Sequence, residues 1–436
     1  PIFCAAAGKR RDKMLDARET AAAVLQACRR EGAWSDGRLK TEIRKNGLDK
    51  RDAALAAQLC FGVLQNEALL DYYISKYCPR KLEPKLRDIL RLGAYQILFL
   101  DRVPDRAAVD EAVKAAKKQV PRASGLVNAV LRAISSDKNS LLEPPDLETK
   151  YSHPKWLVDE FTERLGREGC EEWLRANNSP APITVIANTL RTDPEGLLKS
   201  LRSDGVEALP IKSFPGAFEI RGAGDITELS AWKDGLMLVQ DIAARLSVEA
   251  AAPGPGETVI DCCAAPGGKS FSASMLMGNC GKIIAMDIHE HKLKLIEAGA
   301  KRLGVNIIST VLCDAREPGP ELTDSADLVI ADVPCSGFGT IRKKPDVRYK
   351  KREDVARLPG IQLEILSSIS KCVKKGGRLL YSTCTLRKSE NEDVAGRFLD
   401  LNPQFELIQM RTLWPQIDGT DGFFICLMKR KDFAYG

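Results

Sequence analysis

Between residues 14 and 135 the apolar positions recur at helical spacing. Leu86, Ile89, Leu90, Gly93 and Ile97 stand at i, i+3, i+4, i+7 and i+11, so apolar or small side chains line one face of a single helix. Leu55, Leu59 and Val63 repeat the pattern, as does the segment from Val109 to Lys117. Breaks at Cys78-Pro79, Val103-Pro104 and Val120-Pro121 separate the helices, because a residue before proline is pushed out of the helical region. These residues predict a compact helical bundle. The preceding residues 1–13 lack such patterning and read as a disordered or appended tail.

Residues 136–150 are polar, contain adjacent prolines and read as a linker. From residue 151 the pattern changes. Helical stretches around Leu157 and Trp173 lead into a strand at 183–188, a helix near 194–203 and short strands near Val206 and Phe218. Residues 151–235 are therefore expected to form a small α+β unit. Over residues 236–436, helical segments alternate with short aliphatic runs that end at Cys262, Asp287, Cys313, Asp332 and Ser382. Continuous apolar strands between helices imply a parallel sheet covered on both faces. The fold class is thus multi-domain: an N-terminal all-α bundle, a small α+β domain and a C-terminal, doubly wound, Rossmann-like α/β domain. Such a sheet binds its ligands beyond the carboxyl ends of the strands.

Composition changes this picture little. The 436 residues are 44% hydrophobic and 28% charged, ordinary for a soluble globular chain. No apolar run approaches the roughly 20 residues of a membrane helix. A net charge of +6 permits an acidic partner without demanding one. The first residues do not read as a secretion signal, so a reducing, cytoplasmic location is expected. Thirteen cysteines, an odd number with no C-x-x-C pair, then read as thiols, and Cys28, Cys60 and Cys372 sit among apolar neighbours as small hydrophobes. His289 and His291 flank Glu290 with no third ligand implied, and no metal site is expected.

The first strand of the C-terminal domain runs into Cys263-Ala264-Ala265-Pro266-Gly267-Gly268-Lys269. Gly267 and Gly268 let the backbone approach a ligand and turn into a helix whose N-terminus offers free N–H groups. Asp287, Asp314 and Asp332 end later strands, and Asp287 stands where such folds place a carboxylate for ribose hydroxyls. Carboxylates at each strand end would repel a pyrophosphate but suit a nucleoside bearing a sulfonium. Neither the dinucleotide nor the Walker glycine spacing is present.

Cys335 in Asp332-Val-Pro-Cys335 and Cys384 in Ser382-Thr-Cys384 lie just past neighbouring strand ends. Either alone reads as a buried structural thiol; together, beside a cofactor loop, they are candidate nucleophiles. Carbon 5 of cytosine is a poor nucleophile, and thiolate attack on carbon 6 pushes electron density onto it. Asp332 is placed to stabilise the charge that develops across nitrogen 3. Position alone does not choose between the two thiols.

The runs Ala264-Ala-Pro-Gly-Gly-Lys269, Asp332-Val-Pro-Cys335 and Ser382-Thr-Cys384 resemble the signature motifs of the RNA 5-methylcytosine methyltransferases. Tyr151-Ser-His-Pro154, Gln240-Asp241, Glu390-Asn-Glu392 and Gly419-Thr-Asp-Gly-Phe423 resemble the RsmB (Sun/Fmu) branch, and Gln96, Val103-Pro104 and Val127-Asn-Ala-Val-Leu-Arg132 its NusB-like domain. The resemblance implies S-adenosyl-L-methionine as cofactor, with contacts from Cys263 through Lys269, Asp287, Asp314 and Asp332. It assigns Cys384 as nucleophile and Cys335 to product release. It implies 16S ribosomal RNA of the small subunit as substrate, and the chain is expected to be a monomer with no membrane or metal partner.

Residues 342–352 carry seven cations and one acid around Tyr349, directly after the Cys335 segment, and are expected to meet RNA phosphates with aromatic stacking. Rival readings stay open: an RNA-binding ribosome-assembly factor without turnover, a 5-methylcytosine methyltransferase acting on another RNA, and a methyltransferase acting on an amino group or a small molecule.

Overall fold

The computed structural model describes residues Met14–Glu31 and Ser35–Asp432; the expected tail, residues 1–13, lies outside the described residues. The chain divides into two compact units. The first holds the described residues up to Leu174 together with Lys344–Tyr349, and the second holds Arg175–Lys343 and the chain from Lys350 onward.

In the first unit the predicted helices form where periodicity placed them. They include Lys50–Gln65, Glu67–Tyr77, Pro84–Phe99, Asp105–Gln119 and Ser124–Asp137, and the proline-marked breaks fall between them. Leu59, Val63, Leu70, Ile89, Leu90, Leu131 and Ile134 are buried in one core. Asp49 caps Lys50–Gln65 by accepting from the Asp52 N–H at 2.8 Å.

The other end of that helix is capped from far along the chain. Arg348, fully buried in the turn Pro345–Tyr349, donates through Nη1 to the carbonyls of Gln65 at 3.0 Å, Tyr151 at 3.2 Å and Ser152 at 3.4 Å. The Tyr349 hydroxyl donates to the Leu64 carbonyl at 2.7 Å. The last carbonyls of a helix lack intrahelical donors and favour a cation, and this turn supplies both.

The second unit contains two sheets. Strands β1 (Ile183–Ala187), β2 (Glu207–Pro210), β3 (Ala217–Arg221) and β4 (Met237–Val239) pair antiparallel in the order β2-β3-β1-β4. Leu197 and Leu201 of the helix Pro194–Ser203 pack on Val185, Phe218 and Ile220 of this sheet.

The larger sheet is built from β5 (Thr258–Asp261), β6 (Lys282–Asp287), β7 (Ile308–Leu312), β8 (Ala326–Asp332), β9 (Val373–Thr383), β10 (Phe405–Leu413) and β11 (Phe423–Arg430), in the order β10-β11-β9-β8-β5-β6-β7. The five strands β5 to β9 run parallel, as the aliphatic runs predict. The antiparallel pair β10 and β11, which the sequence reading did not place, adds to β9 and makes the sheet mixed. Successive strand residues serve opposite faces. Ile260, Ile284, Val329 and Leu379 meet the helices Leu358–Ile369 and Glu392–Leu401. Val259, Ile283, Leu328, Ile330 and Leu380 meet Ile242–Ala251 and Gly268–Leu276 on the other side. Burial on both faces is why β5, β6, β8 and the second half of β9 are predominantly apolar.

Candidate active site

The carboxyl ends of the central strands align. Asp261 of β5 is registered with Ala285 of β6 and Ile330 of β8, Asp287 with Leu312 of β7, and Asp332 with Ser382 of β9. Because β5 lies between β6 and β8 while its chain continues only toward β6, a crevice opens beyond its end, the usual ligand position in such folds.

The loop after β5 fills that crevice. Gly267 has φ 105°, and a Cβ there would lie 2.5 Å from the Phe271 ring. No other residue type fits that turn without displacing Phe271. The helix Gly268–Leu276 starts at once, and Ser270 Oγ donates back to Asp261 Oδ2 at 2.7 Å. Burial raises the Asp261 carboxyl to about 6. Its Oδ1 is buried with no hydrogen-bond partner among the described residues.

Lys269 reaches across from this helix and donates to Asp332 Oδ2 at 2.6 Å, while Ser382 Oγ donates to Asp332 Oδ1 at 3.0 Å. The ammonium also stands 4.9 Å above the Phe423 ring. Asp332 is thus fixed between the glycine loop and the end of β9. Asp287 is buried and accepts from the His289 N–H at 3.0 Å. Asp314 lies farther out, where hydrogen bonds from Arg316 hold its carboxyl below the usual carboxylate range.

The two candidate thiols meet. Cys335 Sγ and Cys384 Sγ are 3.3 Å apart, both half-buried. The Cys335 thiol is pushed well above its ordinary range, first by its hydrogen bond with Cys384, then by burial and by the charges of Cys384, Glu390 and Asp332. Backbone bonds join the two turns: Gly339 N–H donates to the Cys384 carbonyl at 3.0 Å, and Gly422 N–H donates to the Gly339 carbonyl at 2.8 Å.

The basic run is a correction to the expected RNA-facing stripe. Arg342 and Lys343 are spent on carboxylates: Arg342 Nε lies 3.1 Å from Asp421, and Lys343 Nζ lies 2.6 Å from Asp241 and 2.8 Å from Asp421. Arg348 and Tyr349 hydrogen-bond backbone carbonyls of the first unit, so Tyr349 is not a free stacking platform. Lys350 donates to the Ser336 carbonyl at 2.7 Å. Lys344, Lys351 and Arg352 are the cations of the run that stay exposed. The motifs around Asp241 and Asp421 thereby have a structural role that spacing along the chain does not reveal. Gln362 escaped the sequence reading, and Glu390 was read only as part of a family-like run with no role assigned; both are fully buried against the Cys335 turn.

A parallel core with carboxylates at its strand ends and a glycine loop between them defines the C-terminal part as a Rossmann-like methyltransferase domain. The comparisons carry this to a family. Residues 15–136 match the NusB family, residues 153–227 the RsmF/B-like methyltransferase ferredoxin-like domain, and residues 248–429 the 16S rRNA methyltransferase RsmB/F description. The Bacillus subtilis protein named "Probable ribosomal RNA small subunit methyltransferase B" is 37% identical over 446 residues, covering 96% of this chain and 100% of the relative. A Synechocystis protein of the same name is 33% identical over 445 residues, with 96% and 100% covered. The crystal structure of PH0851 is similar with a TM-score of 0.79 and 28% identity, over 95% of this chain and 99% of that one. The chain belongs to the RsmB/F methyltransferase family, with NusB-like and ferredoxin-like domains preceding the enzyme domain.

Proposed function

We propose that this protein transfers a methyl group from S-adenosyl-L-methionine to carbon 5 of a cytosine in 16S ribosomal RNA, through a covalent bond between Cys384 and carbon 6 of the base. The observation that carries the reading is the 3.3 Å approach of Cys335 and Cys384 beside the Lys269–Asp332 pair. The relatives' names support small-subunit ribosomal RNA as the substrate. Of the boundaries read from the sequence, residues 151–235 would help grip the RNA. The protein would act as a cytoplasmic monomer.

The loop fits the cofactor on its own geometry. The Gly267 turn leaves no room for a Cβ, the helix behind it opens N–H groups toward the crevice, and Asp261 keeps an unpartnered buried oxygen beside it. Cys263, Ala264, Ala265, Pro266, Gly267, Gly268 and Lys269 would line the cofactor, with Asp287 on its ribose hydroxyls and Asp314 and Asp332 adding negative charge. When bound, the cofactor supplies an electrophilic methyl group on a sulfonium.

The chain's own groups then perform the acid–base work. In this reading Cys335, its thiol pushed up, keeps its proton and donates it across the 3.3 Å contact to the Cys384 thiolate. That thiolate attacks carbon 6, and the displaced electron pair moves toward carbon 5 and nitrogen 3. Lys269 and Asp332 together hold a proton against the nitrogen 3 edge as charge builds there. Once the Cys384 sulfur is bonded to carbon, the leading cause of the raised Cys335 thiol is gone. Cys335 is then the easier thiol to ionise: it gives its S–H proton to water and, as the thiolate, takes the proton from the methylated carbon 5. The C–H electron pair re-forms the ring double bond, and the carbon–sulfur pair returns to Cys384.

Labelled cofactor, ribosomal RNA and protein should yield label in cytosine of the RNA. Cys384→Ala should abolish transfer, and Cys335→Ala should leave a slow-migrating protein–RNA adduct. Undiminished transfer by Cys384→Ala would overturn the covalent mechanism.

A further inference from the structure

The peptide that carries Cys335 is gripped from both sides by side chains outside the motif. The Pro334 carbonyl accepts from Gln362 Nε2 at 2.9 Å. The Ser336 N–H donates to Glu390 Oε2 at 2.8 Å. Gln362 Nε2 also donates to that same Glu390 oxygen at 3.0 Å, which closes the ring of contacts. Both side chains are 0% exposed.

Burying a carboxylate this deeply is costly unless it is hydrogen-bonded and paired. Glu390 meets that condition: Arg387 Nη1 lies 3.3 Å from its other oxygen. Gln362 shows a second cost. With its Nε2 shared between two acceptors, its Oε1 is buried without a partner among the described residues. Flipping the amide would set that oxygen against the Pro334 carbonyl and the Glu390 carboxylate, so the contacts fix its orientation. An unmet buried acceptor persists where its orientation is needed.

The Cys384 turn is held by different groups. Asn391 accepts from Thr383 Oγ1 at 2.6 Å and donates to the Thr385 carbonyl at 3.0 Å. Ser336 Oγ and Thr385 Oγ1 share a bond of 2.6 Å, which sets the spacing of the two turns. Loosening Gln362 or Glu390 therefore frees Cys335 first and leaves Cys384 in its own cradle.

We propose that Gln362 and Glu390 are positioning residues that clamp the Cys335 peptide and so control the step in which the methylated base leaves the enzyme. The proposal rests on the two-cysteine reading above. With the clamp opened, Cys384 still attacks and the methyl group is still transferred, but Cys335 no longer sits against carbon 5.

The test compares Gln362→Leu, Glu390→Gln, Cys335→Ala and the unaltered protein in the same labelled assay, with adduct resolved on denaturing gels. Gln362→Leu keeps the side-chain bulk and removes both hydrogen bonds; it remains informative should Glu390→Gln fold poorly. The expected result is accumulated protein–RNA adduct and a kcat lower by roughly 10- to 100-fold, with KM falling alongside it so that kcat/KM is nearly unchanged. A purely structural role would instead reduce adduct and turnover together, in step with the melting temperature. Adduct from Cys335→Ala with none from either clamp variant refutes the clamp alone. No adduct from Cys335→Ala itself removes the two-cysteine reading and the clamp with it.

Discussion

Replacing Gly339 by alanine tests how tightly the two thiol-bearing turns are locked. A Cβ at this position would stand 1.8 Å from the Gly422 carbonyl oxygen, 2.5 Å from its carbon and 2.9 Å from the Cys384 carbonyl oxygen. All three are backbone atoms, so no rotamer change relieves the clash. Ordinary carbon–oxygen contact needs about 3.4 Å, and one turn must therefore yield by about 1.5 Å. Gly422 cannot retreat freely, because Leu386 lies against it: a Cβ on Gly422 would itself be 2.6 Å from Leu386 Cδ1. The strain passes to the Gly339 turn and the Cys384 carbonyl. Two backbone hydrogen bonds weaken and a packed core is overfilled, a loss of roughly 2–5 kcal/mol. A displacement of this size at reacting groups lowers kcat on the order of 100-fold. The assay is labelled methyl transfer at saturating cofactor, run with a thermal melt of the same preparation. A variant that keeps kcat within about twofold of the unaltered protein would refute the reasoning.

Two more predictions follow from groups away from the thiols. Asp261 is raised to about 6 by burial, so its neutral form stabilises the fold at low pH and that stabilisation is lost as pH rises through about 6. Relative to Asp261→Asn, the unaltered protein should lose roughly 3 kcal/mol between about pH 4 and pH 7.5 in urea unfolding; parallel pH dependences would count against it. Arg348→Met keeps the buried stem but removes the donors to Gln65, Tyr151 and Ser152, and should destabilise the first unit by roughly 2–4 kcal/mol. Hydrogen exchange at the amides of Lys50–Gln65 reads this directly, and unchanged protection there would contradict it.

The helices were legible because one-sided burial imposes a 3.6-residue period, as in Ser124–Asp137, which buries Val127, Val130, Leu131 and Ile134; Pro84–Phe99 is instead buried all round from Asp88 to Ile97. Strands β5, β6 and β8 were legible because two-sided burial leaves nearly unbroken aliphatic runs, while β7 was legible from its β-branched residues although it is largely exposed. β10 escaped because an edge strand exposes most of its length and carries Glu406, Gln409 and Arg411 without alternation. The strand-end aspartates and cysteines could be found by position, since parallel strands place their ends together. Cations were misread because their counter-charges arrive from afar: Lys343 pairs with Asp241 across 102 residues and with Asp421 across 78. A basic run on a surface and one consumed by internal carboxylates have the same composition. Gln362 and Glu390 are separated by 28 residues, and nothing local to either announces the Cys335 peptide between them.

The placement of Lys344–Tyr349 within the first unit bears on how a ribosome delivers this chain. The helical bundle emerges first, yet Arg348, which closes the end of Lys50–Gln65, is made long after Leu174. At typical elongation rates of roughly 5–20 residues per second, that interval lasts about 10–35 seconds. During it the Gln65 and Leu64 carbonyls await their donors. Nascent bundles are therefore exposed to proteases and chaperones until β8 and the Cys335 turn have also been synthesised. Chains that terminate before Lys344 never acquire the cap. Completion of the bundle and completion of the thiol-bearing loop become a single event in the life of the polypeptide.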